Sequence, residues 1–568
     1  MSTFKKFKIS ALLNLILICS LPHVAYPQAF KIDWVKYPMN FQLYPRDTET
    51  QKAEVEFKGK LQSLNQIDSL ILEIHDSRGQ RQQEKLNPQQ DGSFEHQVTI
   101  KAGLHSYRFL VTAFTNGEAY LLHEAKDVVA GDAYLIYGQS NAQAGQSKHD
   151  LSPFIRTFNR RLQDGDTIFT WSARTSNQDN HLFIDALPGD IGQRFAKRII
   201  ETHGIPVAII NGAVGGQVIT DLLPINSLQL TKNTMYDDWK ERVNKSGLNQ
   251  HIRSIIWHQG ESDGLVFYCR TTEYYTDRFL KMKHFWERDF SGFDKIYMFQ
   301  SQACTGFGIM PNCMIQIQEA QRQLALQDAK IEILATGHYQ QLTDGCHYSV
   351  EEYQKMGDDL YAQMNATLYQ STTVEPAHIN INTITFANSD STSVAISFTQ
   401  PTMIISEEHL GDLKLEGDSD TQILNAELLN QQLILHLSKA PAQSFTGISY
   451  YTHSLGGSPF LANESTSLLH FYNQLVLSFD EDQDNTHRIQ SYLLAGPNPV
   501  SNELEITWPL ASLLTYQLLN HNGQLLREGK IFTGRSKIDF SNLEEGIYMI
   551  RLIDTVFNAR HTLRIIKR

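Results

Sequence analysis

The stretch YLIYGQSNAQAG, Tyr134 to Gly145, runs an apolar, strand-like segment into a glycine and then into Gln139, Ser140 and Asn141, with small residues following. By itself a serine after a glycine suits a turn or the cap of a following helix. Its surroundings give it weight. Between about 129 and 370 the apolar runs AYLIYG, VAIING, SIIWHQG, KIYMFQ and IEILATG alternate with the helix-like segments DIGQRFAKRIIETHG, YYTDRFLKMKHFWERDF and SVEEYQKMGDDLYAQMN. Such alternation implies βαβ units and a parallel sheet with helices on both faces. In an open sheet of that kind ligands bind outside the carboxyl ends of the strands, and Ser140 stands where the first of them ends.

Outward from this region the texture changes. Residues 30–128 alternate apolar and polar positions, as in SLILEIHD and HSYRFLVTAF, with the turn signals DSRG, QQDG and TNGE between them, which predicts an all-β, Ig-like sandwich. Short alternating strands return over 371–480 (STSVAISF, QQLILHLS, LHFYNQLVLSF) and predict a second sandwich. The acidic DEDQDN, Asp480 to Asn485, leads into a linker at 481–489, and a last strand-rich unit fills 490–568. A chain of 568 residues is long enough for several such cores.

A formal charge of −13 argues against nucleic acid or an anionic membrane surface as the main partner. Lys5, Lys6 and Lys8 precede the apolar run Ile9 to Leu21, with small residues near Ala25 and Ala29, so residues 1–29 read as a secretory signal. The run is short for a membrane anchor and no second span follows, so the mature protein is expected to have no transmembrane segment. Bulky Ile18 before Cys19 argues against lipidation. Export leaves Cys269, Cys304, Cys313 and Cys346, an even set that allows three pairings in an oxidising compartment. There is no C-x-x-C or H-x-x-x-H to favour metal binding, so disulfides are expected, with no metal or cofactor. The expected pairs are Cys304 with Cys313, across TGFGIMPN, and Cys269 with Cys346.

A serine hydroxyl needs a base, and the base an orienting acid. TDGCHYS carries Asp344 and His347 on one predicted loop before the last helix of the α/β region, although a solvated turn would look the same. Acyl transfer also needs donors aimed at the oxyanion. NGAVGGQ offers the backbone of Gly215 and Gly216 after one strand, and WHQGESD the Gln259 amide after another. A tight turn would also explain the glycines, and buried loop support would explain His258 or Glu261.

Taken in order, GQSN, a glycine pair after a strand, HQGESD and D-x-x-H resemble the four signature blocks of the SGNH hydrolases, in particular the sialate O-acetylesterase and carbohydrate esterase family 6 branch. The resemblance covers about 129–370. It implies an α/β fold, an SGNH (flavodoxin-like) three-layer parallel-sheet hydrolase domain, here flanked by all-β sandwich domains. It also implies Ser140 as nucleophile, His347 as base and Asp344 as orienting acid. The oxyanion hole would comprise the N–H of Ser140, the N–H of Gly216 (Gly215 if the alignment slips by one) and the Gln259 amide, with Glu261 supporting them. The usual GGT is Gly215-Gly216-Gln217 here, and the methionine that often follows GQSN is Ala142. These departures bear on the acyl pocket rather than the chemistry.

AGPNPVSNELEI, GIYMIRL and the basic end Lys567-Arg568 are similar to the type A carboxyl-terminal sorting domain of the type IX secretion system. The expectation is therefore a secreted or cell-surface serine esterase, handled by that secretion machinery. It would remove O-acetyl groups from poly- or oligosaccharide through an acyl-enzyme, as a sialate O-acetylesterase or acetylxylan esterase does. The alternatives are an SGNH esterase acting on a lipid, feruloyl or other ester, and a non-catalytic glycan-binding surface protein, which would have no use for a base, an acid and oxyanion donors together.

Overall fold

The structure is a computed structural model that describes residues 30–568 except 63–66, 146–148, 164–165, 175–186, 225–233, 266, 308–310, 371–377, 401–402, 405–406, 430, 452–460, 463–465, 480–492, 509–513, 532–533 and 555–558. The expected signal segment and acidic linker lie outside the described residues. The chain forms two compact units, one comprising residues up to Pro38, Val55–Val98 and Tyr107–Lys126, the other Met39–Glu54, Thr99–Ser106 and Asp127–Arg568.

In the first unit the period-two pattern does what strand geometry requires. Ser69–Asp76 buries Leu70, Leu72 and Ile74 on one face and pairs antiparallel with Arg81–Leu86 and Tyr107–Thr115. Phe57 and Phe109, both fully buried, meet with ring centroids 5.6 Å apart between two sheets. Met39–Glu54, which the alternation assigned to this region, groups instead with the second unit. Leu43–Pro45 pairs parallel with Val129–Gly131, and Arg46 makes a buried ion pair with Asp132 at 2.8 Å.

The second unit is built on β1 (Glu118–Gly138, whose part from Asp127 belongs to it), β2 (Ser152–Gln163), β3 (Asp166–Arg174), β4 (Val207–Asn211), β5 (Ile252–His258), β6 (Lys295–Phe299) and β7 (Ile331–Leu334). Their order is β3-β2-β4-β1-β5-β6-β7, with every pairing parallel except the β2–β3 hairpin. Without the hairpin, the chain order across the sheet is the 2-1-3-4-5 of flavodoxin-like sheets, with its switch point at β1. The helices are α1 (Ser140–Gln143), α2 (Gly189–His203), α3 (Met235–Ser246), α4 (Thr272–Asp289), α5 (Pro311–Gln327) and α6 (Val350–Thr367).

Side chains along β1 alternate between two cores. Leu135 and Tyr137 join Trp239 of α3, Phe279 and Trp286 of α4 and Ile317 of α5, whereas Tyr134 and Ile136 join Phe195 and Ile199 of α2 and Met356 and Leu360 of α6. Helices thus cover both faces. Their starts carry local signals: Thr234 and Asp237 form a capping box on α3, and Thr271 and Ser349 cap α4 and α6.

Beyond the α/β region, a four-stranded and a three-stranded antiparallel sheet over 381–474 enclose a core that includes Ile396, Leu435, Ile448 and Phe471. This sandwich is clamped to α5 by buried polar groups. The Arg322–Glu319 ion pair of that helix accepts the Tyr472 N–H and the Gln474 amide, and Gln300 exchanges two hydrogen bonds with the His470 backbone. The last unit, 493–568, packs two antiparallel sheets around Trp508, Leu518, Phe540 and Ile550.

Candidate active site

The sharp exit from β1 is made by Gly138. Its φ is +143°, and a Cβ there would fall 2.1 Å from the His258 carbonyl, so only glycine lets the ends of β1 and β5 come so close. The chain then enters α1. Ser140 is its first residue, at the carboxyl edge of the sheet, and the Val214 N–H bonds the Gly138 carbonyl to draw in the loop that follows β4.

His347 Nε2 lies 2.9 Å from Ser140 Oγ, and His347 Nδ1 lies 2.7 Å from Asp344 Oδ2. The other carboxylate oxygen, Oδ1, accepts the backbone N–H groups of Cys346 (2.9 Å) and His347 (3.0 Å). Asp344 therefore closes the loop with one oxygen and orients the imidazole with the other. Partial burial pushes its carboxyl up, but hydrogen bonds from the His347 backbone and ring and from Cys346 outweigh this and hold it below the usual range. The turn itself is tight. Gly345 has φ +63°, and a Cβ there would meet Thr305 Oγ1 at 2.6 Å.

The disulfides differ from the expected pairing. Cys269 is bonded to Cys313 and Cys304 to Cys346. Cys313 sits in the first turn of α5, which packs beside α4 and so faces the segment that leads into α4 and carries Cys269. Meanwhile residues 304–306 lie against the His347 turn, close enough that a Cβ on Gly306 would fall 2.0 Å from the Asp344 carbonyl. Fold proximity, not shortness of the intervening segment, decides the pairs.

Gly216 has φ +73°, a left-handed conformation, and a Cβ there would meet nothing within 4 Å. Backbone shape, not space, requires glycine at this position. It lines a cavity of about 290 Å³ together with Gln139, Ser140, Glu261, Phe307 and His347. A larger hollow of about 710 Å³ lies on the second sandwich, but its walls, among them Leu413, Glu416 and Tyr451, hold none of this constellation.

Gln259 is fully buried and is not part of the cavity wall. Its Nε2 donates to Asp263 Oδ2 (2.5 Å) and to the Gln217 carbonyl (3.2 Å), and its Oε1 accepts from the Tyr275 hydroxyl (3.0 Å). Asp263 in turn accepts the Ile219 N–H, so Gln259 and Asp263 together tie down the loop that carries Gly216. Burial pushes the Asp263 carboxyl up to about 6 against these hydrogen bonds.

Glu261 belongs to a buried network. Its Oε1 accepts from Asn141 Nδ2 at 2.7 Å and lies 3.2 Å from His258 Nε2, while Asn141 Oδ1 accepts from the Tyr353 hydroxyl. Asn141 Nδ2 also reaches the Cys346 carbonyl at 3.3 Å, linking the serine helix to the histidine loop. Burial pushes Glu261 up, but His258 and the Asn141 amide overcome it and hold the carboxyl below its ordinary value. Sequence reasoning assigned no role to Gln139, Asn141, Asp263 or Phe307, although the first three lie inside GQSN and HQGESD.

The structure is thus an α/β fold that gathers a serine, a histidine and an aspartate at the carboxyl edge of its sheet. Residues 130–366 match the family model described as carbohydrate esterase, sialic acid-specific acetylesterase, and residues 496–567 match that of the secretion system C-terminal sorting domain. The chain thus carries an esterase domain and a sorting domain that directs it through type IX secretion to the cell surface or beyond. No described helix is long and apolar enough to cross a membrane.

Among solved structures, a carbohydrate acetylesterase from Xanthomonas citri is similar in fold, with a TM-score of 0.53 at 17% identity over 78% of this chain and 99% of that one. A protein from Arabidopsis thaliana gives 0.31 at 17% identity over 42% and 98%. A carbohydrate acetylesterase from Sinorhizobium meliloti gives 0.25 at 12% over 41% and 99%. A search of curated proteins returns no match.

Proposed function

We propose that the protein is a secreted serine esterase with a three-layer, SGNH-type domain, and that it removes O-acetyl groups from carbohydrate. The observation that carries this reading is the hydrogen-bonded series Ser140–His347–Asp344 at the wall of a cavity. The Ser140 hydroxyl attacks the acetyl carbonyl while its proton passes to His347 Nε2. Asp344 accepts from Nδ1–H, which keeps Nε2 free to take that proton and stabilises the imidazolium that results.

The oxyanion that forms is met by the N–H groups of Ser140 and Gly216, neither of which has an acceptor among the described residues. Collapse breaks the bond to the sugar oxygen, which leaves with the proton from His347, and acetyl-Ser140 remains. Water then attacks. His347 takes its proton and returns it to Ser140 Oγ as acetate departs. Gln259 acts by holding Asp263 and the Gln217 carbonyl, and Glu261 by holding Asn141.

For the sugar, support comes from the cavity lip and from the acetylesterase match over 130–366. Phe307 lines the cavity, is 56% exposed and approaches His347 edge-on, so a flat apolar face is presented beside the reacting serine. Purified protein should be compared on acetylated xylan, O-acetylated sialic acid, a feruloylated sugar and a simple aryl acetate. Acetate release with the highest kcat/KM on one of the acetylated carbohydrates is expected. Preference for the feruloyl ester, or no hydrolysis at all, would overturn the reading.

A further inference from the structure

The turn after HQGESD carries Phe267, 89% exposed, and Tyr268, 43% exposed. It is braced. The N–H groups of Tyr268 and Cys269 both donate to the Leu265 carbonyl, Cys269 has φ +38°, and its disulfide to Cys313 fastens the turn to the start of α5. A single exposed apolar side chain is ordinary, but the placement of these is not. At the near end of the turn Leu265 lines the cavity beside Ser140, together with exposed Phe307. At the far end Asn312, next to Cys313, stands in the wall of the 710 Å³ hollow on the second sandwich. Chain geometry keeps the Leu265 and Asn312 Cα atoms at most about 15 Å apart. The aromatic turn therefore bridges the cavity and the hollow. The hollow is polar: the side-chain ends of Asn312, Lys414 and Gln422 have no partner among the described residues, and Glu416 accepts from the Tyr451 hydroxyl at 3.0 Å.

We infer that Phe307 and Phe267 carry successive rings of one carbohydrate chain from the cavity to the hollow, where Asn312, Lys414 and Gln422 hydrogen-bond its hydroxyls. The substrate is then an acetylated polysaccharide and not a free acetylated sugar. The inference rests on the carbohydrate esterase reading above and names its substrate class. A pyranose ring lays its C–H face on an aromatic ring and keeps its hydroxyls at the rim, so it needs flat apolar faces with polar groups beside them. This surface has both. A lipid chain would gain from the aromatic rings but not from the polar hollow, and a free sugar at the cavity would leave Phe267 and the hollow unused. Contacts so far from the ester are the same before and during the reaction, so they act on binding more than on turnover.

The test measures kcat and KM on an aryl acetate and on acetylated xylose, xylobiose and xylohexaose. No hydrolysis of the aryl acetate would remove the esterase reading, and hydrolysis of it but of none of the sugars would remove the carbohydrate reading. Sugar hydrolysis with equal kcat/KM for one ring and six would overturn this inference alone. The expected result is a rise in kcat/KM of about tenfold or more from one ring to six, carried by KM. Phe267→Ala, at a side chain too exposed to matter for folding, should cut that rise to about twofold. Phe267→Trp should restore it and Phe267→Leu should not, since a flat face is what the sugar needs. Joint Lys414→Ala and Gln422→Ala replacement should remove the gain beyond two rings. A length dependence that survives Phe267→Ala or the double replacement, or that Phe267→Leu supports as well as Phe267→Trp, would overturn the proposal.

Discussion

Replacing Asp344 with asparagine separates its two jobs. Oδ1 holds the Cys346 and His347 N–H groups, and the amide oxygen of the new side chain can keep that place, which directs its NH2 group at His347 Nδ1. Nδ1 must then accept, so the imidazole carries its proton on Nε2 and donates to Ser140 Oγ instead of accepting from it. The geometry survives, but the base is lost. By the measured consequence of such a tautomer change, Asp344→Asn should lower turnover about ten-thousandfold, equivalent to about 5 kcal/mol of barrier. Loss of one charge-assisted hydrogen bond should cost only about 1–3 kcal/mol of stability. Asp344→Ala, which also frees the two backbone donors, should be no more active and less stable. The assay is aryl acetate turnover with denaturant unfolding on the same samples. An Asp344→Asn protein that keeps turnover within tenfold of wild type would refute the reasoning.

Joint replacement of Cys304 and Cys346 by serine opens a cross-link spanning 42 residues and should cost about 4 kcal/mol by the chain-entropy account, read as a lower Tm together with lower turnover from a looser His347 loop. Asp263, raised to about 6 in the fold against about 3.9 unfolded, binds its proton more tightly when folded, so its ionisation costs stability as pH rises from 4 through 6. Asp263→Asn should remove about 3 kcal/mol of that fall, and parallel unfolding profiles for the two proteins across this range would contradict it. Glu319→Ala leaves Arg322 buried without its carboxylate and frees Tyr472 and Gln474; a stability loss of about 3–5 kcal/mol is expected, and a loss under 1 kcal/mol would mean the sandwich is not anchored there.

The parallel sheet was legible because its strands are buried on both faces and read as apolar runs, each ending in a glycine or polar residue at the edge where ligands bind. Ser140, Asp344 and His347, which the fold brings within hydrogen-bond distance of one another, stood out in the sequence because acyl transfer would need those residue types at a strand end and on one loop. The β2–β3 hairpin was not. Its sequence, SPFIRTFNRRLQ then DTIFTWSAR, mixes charged and apolar residues and lacks the helix-like segment that marks a βαβ step. The cysteine pairing was hidden for another reason. Spacing says nothing of how α4 and α5 lie together, and that packing brings Cys269 to Cys313. Gln139 and Gln259 look equivalent in sequence, each in a strand-end motif. Their surroundings differ only in the fold, where the Gln259 amide donates to Asp263 and the Gln217 carbonyl and Gln139 lines the cavity.

The central claim is that Ser140 carries the acyl group. Its most direct test is peptide mass mapping after reaction of the protein with an aryl fluorophosphonate, which captures an activated serine. One phosphonyl adduct per chain on the peptide containing Ser140, lost together with esterase activity in His347→Ala, is the expected result. An active esterase that carries the adduct on another residue, or none on Ser140, would contradict the account.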